Sequence, residues 1–83
     1  MVTIKAKKIK NKNGITSIVY RNGRKKEAEI EFRSNGKFMA LCAFSGTSSL
    51  GFEYDDLTRA KEKTEVYLNN IHQFSEGANV FYV

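Results

Sequence analysis

The sequence of 83 residues has no proline and no tryptophan, and it has only one cysteine and one histidine. A single cysteine, Cys42, excludes an internal disulfide framework and a cysteine-rich zinc site, and it is typical of a reducing compartment. A cytoplasmic location is therefore expected. Because there are no repeats and no linker-like segments, we expect one small domain over residues 1–83, with a single thin core.

Acidic residues are absent from residues 1–26. This segment carries nine of the fourteen basic residues, whereas residues 27–83 carry five basic residues against nine acidic ones. The chain therefore divides into a segment of charge +9 and a segment of charge −4, which gives the net charge of +5. So uneven a distribution predicts a surface that meets an anionic partner.

The amino-terminal residues contain no long hydrophobic run. Val2, Ile4 and Ala6 alternate with polar residues, which is the pattern of a strand with one buried face. The same pattern does not fit a secretory signal or a membrane span. No membrane association is expected.

Hydrophobic alternation and turn signals predict strands in the first half of the chain. The predicted strands cover residues 2–9, 15–21, 24–33 and 37–45. Asn22-Gly23 and Asn35-Gly36 lie between successive strands, and both dipeptides favour tight hairpins because asparagine and glycine tolerate positive φ. The second, third and fourth strands are therefore expected to form an antiparallel meander.

One amphipathic helix is predicted over residues 56–74, where apolar residues recur at helical spacing. The stripe consists of Leu57, Ala60, Thr64, Tyr67, Leu68, Ile71 and Phe74. Asp55 or Asp56 is expected to cap the helix, and Gly77 to end it. Residues 45–51, rich in serine and glycine, are expected to form a connector ahead of it.

A short last strand is predicted over residues 80–83, after the helix. The elements together predict an α+β fold in which an antiparallel sheet of four to five strands carries one helix on one face. The expected order along the chain is β-β-β-β-α-β.

The two faces of the predicted fourth strand are both apolar. A two-residue turn at Asn35-Gly36 would place Phe32 opposite Met39, and it would turn Phe38 and Phe44 away from the helix. One helix covers only one side of a sheet, so two interpretations remain open. Either the terminal strands curl over Phe38 and Phe44, or these two residues form a protein interface, such as a homodimer seam.

Residues with catalytic chemistry are few. His72 is the only histidine, and a histidine near a helix end is more often a partner of the helix dipole than a ligand. Cys42 lies in an apolar strand without an evident base beside it. We therefore expect no catalytic residues, no metal site and no cofactor, and a protein that is not an enzyme.

Basic residues are the main candidates for a binding site. The candidate residues for contact with nucleic acid or an acidic partner are Lys5, Lys7, Lys8, Lys10, Lys12, Tyr20, Arg21, Arg24, Lys25 and Lys26. A basic hairpin beside an aromatic residue can follow a phosphate backbone and stack on a base. The alternative is that lysines on an edge strand only prevent aggregation.

The element order of residues 14–73, with Gly51-Phe52 ahead of the helix and Ala60 within it, resembles the AP2-type and integrase arm-type DNA-binding domains. That resemblance implies a three-stranded sheet whose exposed face enters the major groove. The sequence departs from those families because the glutamates of its third strand would then face phosphates. No family is assigned on this basis.

Two functions from different classes are carried forward. The first is a non-enzymatic module that binds nucleic acid through its basic amino-terminal strand and hairpin. The second is a small inhibitor or adaptor, of the kind encoded by phages and mobile elements, that binds and blocks a host protein or nucleoprotein complex. A homo-oligomer, in which the basic segment of one copy meets the acidic helix start of another, is a third possibility.

Overall fold

The computed structural model of the chain describes residues 1–42 and 50–83. In these residues a six-stranded sheet carries a helix on one face, which confirms the predicted α+β class. The strands are β1 (Val2–Lys10), β2 (Thr16–Asn22), β3 (Lys25–Phe32), β4 (Phe38–Cys42), β5 (Leu50–Tyr54) and β6 (Ala78–Tyr82). The helix α1 (Leu57–Ile71) precedes a short 3₁₀ turn (Gln73–Ser75).

The strands lie in the order β5-β4-β3-β2-β1-β6. The first five form a continuous antiparallel meander. The hairpin signals predict the part of it that consists of β2, β3 and β4. After β5, α1 returns the chain across the sheet to β6, which pairs with β1 in parallel. The expectation of a wholly antiparallel sheet is therefore wrong for its last strand.

The strand β5 is absent from the predicted order, which placed a connector over residues 45–51. Phe52 and Tyr54 alternate with Gly51 and Glu53, and they pair with Ala40 and Phe38 of β4. A strand this short gives a weak periodic signal, and the serine-rich stretch before it favours a loop. The remainder of the predicted connector, up to residue 49, lies outside the described residues.

The first hairpin forms at the position that Asn22-Gly23 predicts, but its two loop residues lie one position later in the chain. Asn22 pairs with Lys25, so Gly23 and Arg24 are the two loop residues. Gly23 has φ of +63°, which suits the first central position of a type II′ turn. The second hairpin is longer than predicted, because the Arg33 N–H donates to the Lys37 carbonyl at 2.8 Å and encloses a three-residue loop.

This longer loop shifts the pairing of β3 with β4 by one residue and therefore inverts β4. Phe32 pairs with Phe38, not with Met39, and the two rings meet edge to face with centroids 5.2 Å apart. The predicted placement of Phe38 on the face away from the helix is wrong. Phe44 lies outside the described residues.

The first and last strands, β1 and β6, are members of the sheet and lie side by side, with β6 at one edge. On the face opposite α1, β4 presents Met39 and Leu41, which are both half-buried. Both side chains lie over Gly51, where a Cβ would be 3.1 Å from each of them. Because Gly51 has no side chain, Met39 and Leu41 can pack over its backbone.

The core lies between α1 and the sheet. Ile4, Tyr20, Ile30 and Leu68 are among its fully buried side chains. The carboxylate of Asp56 accepts a hydrogen bond from the Arg59 N–H at 3.1 Å, which confirms the predicted cap.

The helix ends three residues earlier than the apolar stripe predicts. Ile71 is its last residue and is 45% exposed, and Phe74 lies in the 3₁₀ turn with 96% of its surface exposed. Glu76 and Gly77 then adopt positive φ and reverse the chain toward β6. The predicted end of the helix at Gly77 is therefore wrong, because α1 ends at Ile71 and is capped by His72. Ile71 and Phe74 are not part of the core.

Candidate functional site

The side of the sheet opposite α1, here called the open face, carries basic residues of β1, β2 and β3. Alternation along β1 sends Ile4 and Ala6 into the core, so that Lys5 and Lys7 point to the open face. Strand pairing places Arg21 beside Lys5, and it places Lys26 beside Arg21. Since neighbouring strands are about 4.8 Å apart, three basic residues form a compact row across three strands.

A shallow cleft of about 450 Å³ lies beside this row. Lys5, Lys7 and Arg21 line the cleft together with the aliphatic side chains of Ile9 and Val19. The combination of an aliphatic floor and cationic walls suits a ligand that carries negative charge next to an uncharged ring or chain.

The turn between β2 and β3 continues the basic surface. Arg21 donates a hydrogen bond from Nη1 to the Arg24 carbonyl at 3.2 Å, so its guanidinium lies against the turn. Arg24 and Lys25 are exposed at the tip. The cleft and the predicted hairpin cluster are therefore parts of one surface.

The sequence suggests that the glutamates of β3 would repel an anionic partner, but two of the three are paired with cations. Glu29 accepts from Lys26 Nζ at 2.7 Å, and Glu31 pairs with Arg33 at 3.0 Å. Two of the three glutamates are thus balanced within the sheet. Lys26 is correspondingly engaged with a carboxylate of its own strand.

Glu27 points to the opposite side of the sheet because β3 carries an irregularity. The register with β2 shifts between Tyr20 and Arg21, which gives β3 one extra residue there. Glu27 is buried, and its carboxylate lies 2.6 Å from His72 Nε2 at the end of α1. The expectation that Glu27 would face phosphates is wrong for this reason.

Several cations of the open face keep their charge available. Among the residues that the structure describes, no carboxylate lies within ion-pair distance of Lys5, Lys7 or Arg21. The same holds for Arg24 and Lys25 in the described part of the chain. The uncompensated positive charge is therefore concentrated on the cleft and the adjoining turn.

Three predicted binding residues lie elsewhere. Lys8 and Lys10 point to the side of α1, as alternation along β1 predicts, and Lys8 Nζ lies 5.3 Å from the centre of the Phe32 ring. Lys12 is exposed in the loop that follows β1. The ten predicted residues thus do not form a single surface.

Tyr20 is a correction to the predicted site. Its side chain is fully buried, so its ring is not available to stack on a base. The Tyr20 and Tyr82 hydroxyls are 2.7 Å apart, and burial raises the pKa of both phenols. The signal was present in the sequence, because Tyr20 follows Ile18 at the spacing of one strand face.

Ile9 and Val19, which form the floor of the cleft, were not predicted as site residues. Alternation places Ile9 on the same side of β1 as Lys5 and Lys7. Val19, however, reaches the cleft only through the pairing of β2 with β1, where it lies beside Lys7. The sequence alone does not reveal that register.

The two other candidates for chemistry are held by their surroundings. Cys42 is half-buried, and burial raises the pKa of its thiol to about 11, so the thiol is protonated at neutral pH. His72 Nε2 is hydrogen-bonded to a carboxylate oxygen of Glu27 at 2.6 Å. In residues 1–42 and 50–83, no group of three or more histidine, cysteine or acidic side chains has the arrangement of a metal site.

None of the helices in the described residues is long and apolar enough to cross a membrane. The chain matches no protein-family model, no curated protein and no solved structure. The geometry and charge of the open face are therefore the features that bear on its function.

Proposed function

We propose that the protein is a non-enzymatic module that binds nucleic acid on the open face of its sheet. The observation that supports this proposal is the convergence of Lys5, Lys7 and Arg21 on one cleft without a described carboxylate partner. Glu29 and Glu31 share this face, but both are already ion-paired. The net field of the surface is therefore positive and favours a polyanion.

Contacts with the phosphate backbone supply most of the binding in this proposal. Each lysine or arginine that neutralises a phosphate releases counterions, which favours association at low salt. The exposed turn residues Arg24 and Lys25 extend the contact beyond the sheet. Because the floor of the cleft is aliphatic, stacking is a minor contribution, and we expect little preference for base sequence.

The two faces of β1 provide the test. Lys5→Gln together with Lys7→Gln removes two charges from the open face, whereas Lys8→Gln together with Lys10→Gln removes two from the other face. We expect the first variant to bind labelled single-stranded or duplex oligonucleotides about tenfold or more weakly, with the salt slope reduced by about two. The second variant should bind nearly as the unmodified protein does. Fluorescence anisotropy across a salt series measures both quantities.

Equal losses in the two variants would show that only total charge matters and would contradict a site on the open face. Binding that does not weaken with salt, or no binding to DNA or RNA at low salt, would contradict the function itself. Circular dichroism of both variants establishes that the sheet is intact.

A second candidate function, binding and blocking of a host protein, is favoured by a different surface. A groove of about 260 Å³ lies between α1 and the edge formed by β4 and β5. Phe52 and Val66 line it with 60% and 56% of their surfaces exposed. Exposed apolar residues around a groove are typical of protein contacts.

Affinity capture from a host lysate, with and without nuclease, separates the two functions. Partners that are lost after nuclease treatment support nucleic-acid binding. A stoichiometric protein that remains after nuclease, and that Phe52→Ser releases, supports the inhibitor or adaptor.

A further inference from the structure

The outer edge of β6 is an unprotected strand edge. The strand consists of Ala78, Asn79, Val80, Phe81 and Tyr82, and it contains no charge and no proline. Edge strands usually carry charged residues, a proline or a bulge, because an exposed edge otherwise pairs readily with another strand. The opposite edge strand, β5, carries Glu53 and is followed by two aspartates.

Backbone hydrogen bonds fix which residues of β6 point outward. Val2 N–H donates to the Gly77 carbonyl at 3.1 Å, and Val83 N–H donates to the Ala6 carbonyl at 2.9 Å. Since successive residues of a strand alternate in direction, the odd-numbered residues of β6 face β1 and the even-numbered ones face away.

The outward-facing groups are only partly satisfied. Ala78 N–H donates to the Asn69 side-chain oxygen at 3.0 Å, which closes one end of the edge. In the described part of the chain, the outward N–H and C=O groups of Val80 and Tyr82 have no hydrogen-bond partner. Val80 and Tyr82, which are successive outward-facing residues of β6, can therefore form backbone hydrogen bonds with another strand.

We propose that β6 pairs antiparallel with β6 of a second copy of this chain, about a twofold axis that passes beside Phe81. In this register Val80 lies opposite Tyr82 of the second copy, and the two residues exchange N–H···O=C bonds on each side of the axis. The Asn69–Ala78 bond is preserved. An axis at Val80 would instead require Ala78 N–H to leave Asn69.

The second copy is the occupant because β6 is complementary to itself. An uncharged strand places no like charges opposite each other when it pairs with its own copy. The axis also sets Phe81 against Phe81 of the second copy in a close non-hydrogen-bonded pair, with Cα atoms about 4.5 Å apart. Phe81 is 48% exposed in the single chain, so this contact buries an aromatic surface.

The dimer would form one continuous sheet with both open faces on the same side. The two cationic clefts would then lie on one surface, related by the twofold axis. The pairing does not depend on nucleic-acid binding, so a failure of that function leaves the dimer testable on its own. Because the contact is small, we expect an association in roughly the micromolar range.

Charge substitutions at the axis test the register. Phe81→Lys or Phe81→Glu places like charges opposite each other, so each variant alone is expected to lose the concentration-dependent doubling of mass in sedimentation velocity. An equimolar mixture of the two should recover it as a heterodimer. Asn79→Lys adds a charge to the same face of β6 but opposite Val83 of the second copy, and it should still dimerise.

Amide exchange in the unmodified protein provides a test that needs no variant. The N–H groups of Val80 and Tyr82 should exchange more slowly as protein concentration rises, whereas Phe81 N–H should be protected throughout. A protein that stays monomeric at high micromolar concentration would overturn the proposal. So would self-association of Phe81→Lys alone, or a mixture that remains monomeric, once circular dichroism has shown that these variants are folded.

Discussion

At the scale of single residues, one hydroxyl joins the last strand to the core. Tyr82 donates to a Glu65 carboxylate oxygen at 2.7 Å, so it accepts the hydrogen bond from Tyr20 at 2.7 Å. The two rings meet edge to face with centroids 5.8 Å apart. The buried Tyr20 hydroxyl therefore depends on Tyr82 as its acceptor.

Removing the acceptor should cost more than removing the donor. Tyr82→Phe leaves the Tyr20 hydroxyl buried without a partner, and we expect the free energy of unfolding to fall by about 1–3 kcal/mol. Tyr20→Phe keeps the bond from Tyr82 to Glu65 and should cost about 1 kcal/mol or less. Urea unfolding followed by circular dichroism compares the two variants. An equal or larger loss of stability in Tyr20→Phe would contradict the proposed direction of these hydrogen bonds, from Tyr20 to Tyr82 to Glu65.

Single residues were predictable from sequence when their partner is close along the chain. Asp56 caps α1 because its acceptor geometry involves only the next three residues. Tyr20 was wrongly predicted to stack on a base, because it lies next to the basic residues Arg21 and Arg24 in the sequence. Its partner, Tyr82, is distant in sequence and could not be identified.

At the scale of elements, the passage from α1 to β6 depends on Gly77. Its φ is +92°, and a Cβ at this position would lie 2.5 Å from the Asn69 side-chain oxygen. That oxygen also accepts the Ala78 N–H and so sets the start of β6. A side chain at residue 77 would disturb both the backbone and the first hydrogen bond of the strand.

Two glycines with similar backbone geometry separate these effects. Gly14 has φ of +76°, and a Cβ there would have no neighbour within 4 Å. We expect Gly14→Ala to lower the free energy of unfolding by about 1 kcal/mol from backbone strain alone, and Gly77→Ala to lower it by about 2 kcal/mol or more. Thermal and urea unfolding measure both, and equal losses would show that the contact with Asn69 is unimportant.

Elements with strong local signals were predicted well, and so was the antiparallel pairing of β2, β3 and β4, but the register of that pairing was not. The existence of β1, β2, β3 and α1 follows from periodicity and turn residues. Asn35-Gly36 marks a hairpin correctly but does not distinguish a two-residue loop from a three-residue one. Since the side-chain period of a strand is two, that single residue was enough to put Phe38 on the wrong face.

At the scale of the whole molecule, one thiol and two phenols that are partly or fully buried make stability depend on pH in the alkaline range. Burial raises the pKa of Cys42 from 9.0 to about 11, and it also raises the pKa values of Tyr20 and Tyr82. The unfolded chain therefore loses these protons at lower pH than the folded chain does. Stability is retained below the unfolded values and decreases as pH rises through them.

We expect the free energy of unfolding to be level up to about pH 9 as far as these groups determine it, and to decrease between pH 9 and pH 11. Cys42 should contribute about 1 kcal/mol to this decrease, because the thiol is only half-buried and water screens part of the effect. Cys42→Ala should remove that contribution. Urea unfolding at pH values on either side of this range measures it, and an unchanged pH dependence in the variant would contradict the assignment.

The site is a property of the whole sheet, which limits what sequence could predict about it. Lys5, Lys7 and Arg21 were identified from composition and alternation. Their separation from Lys8 and Lys10 by the sheet was also visible in the alternation, but the pairing of Glu29 and Glu31 with neighbouring cations was not. Those ion pairs depend on side-chain geometry on the folded sheet.

The parallel pairing of β1 with β6 joins strands more than seventy residues apart along the chain. During synthesis the ribosome releases β1 long before β6, so the nascent meander carries β1 as a bare edge until the carboxy-terminal segment emerges. Once the meander and α1 have folded, β6 has only to dock on an edge that is already in place. Until it does, β1 is an exposed edge strand, and a chaperone that binds the nascent chain would meet that edge.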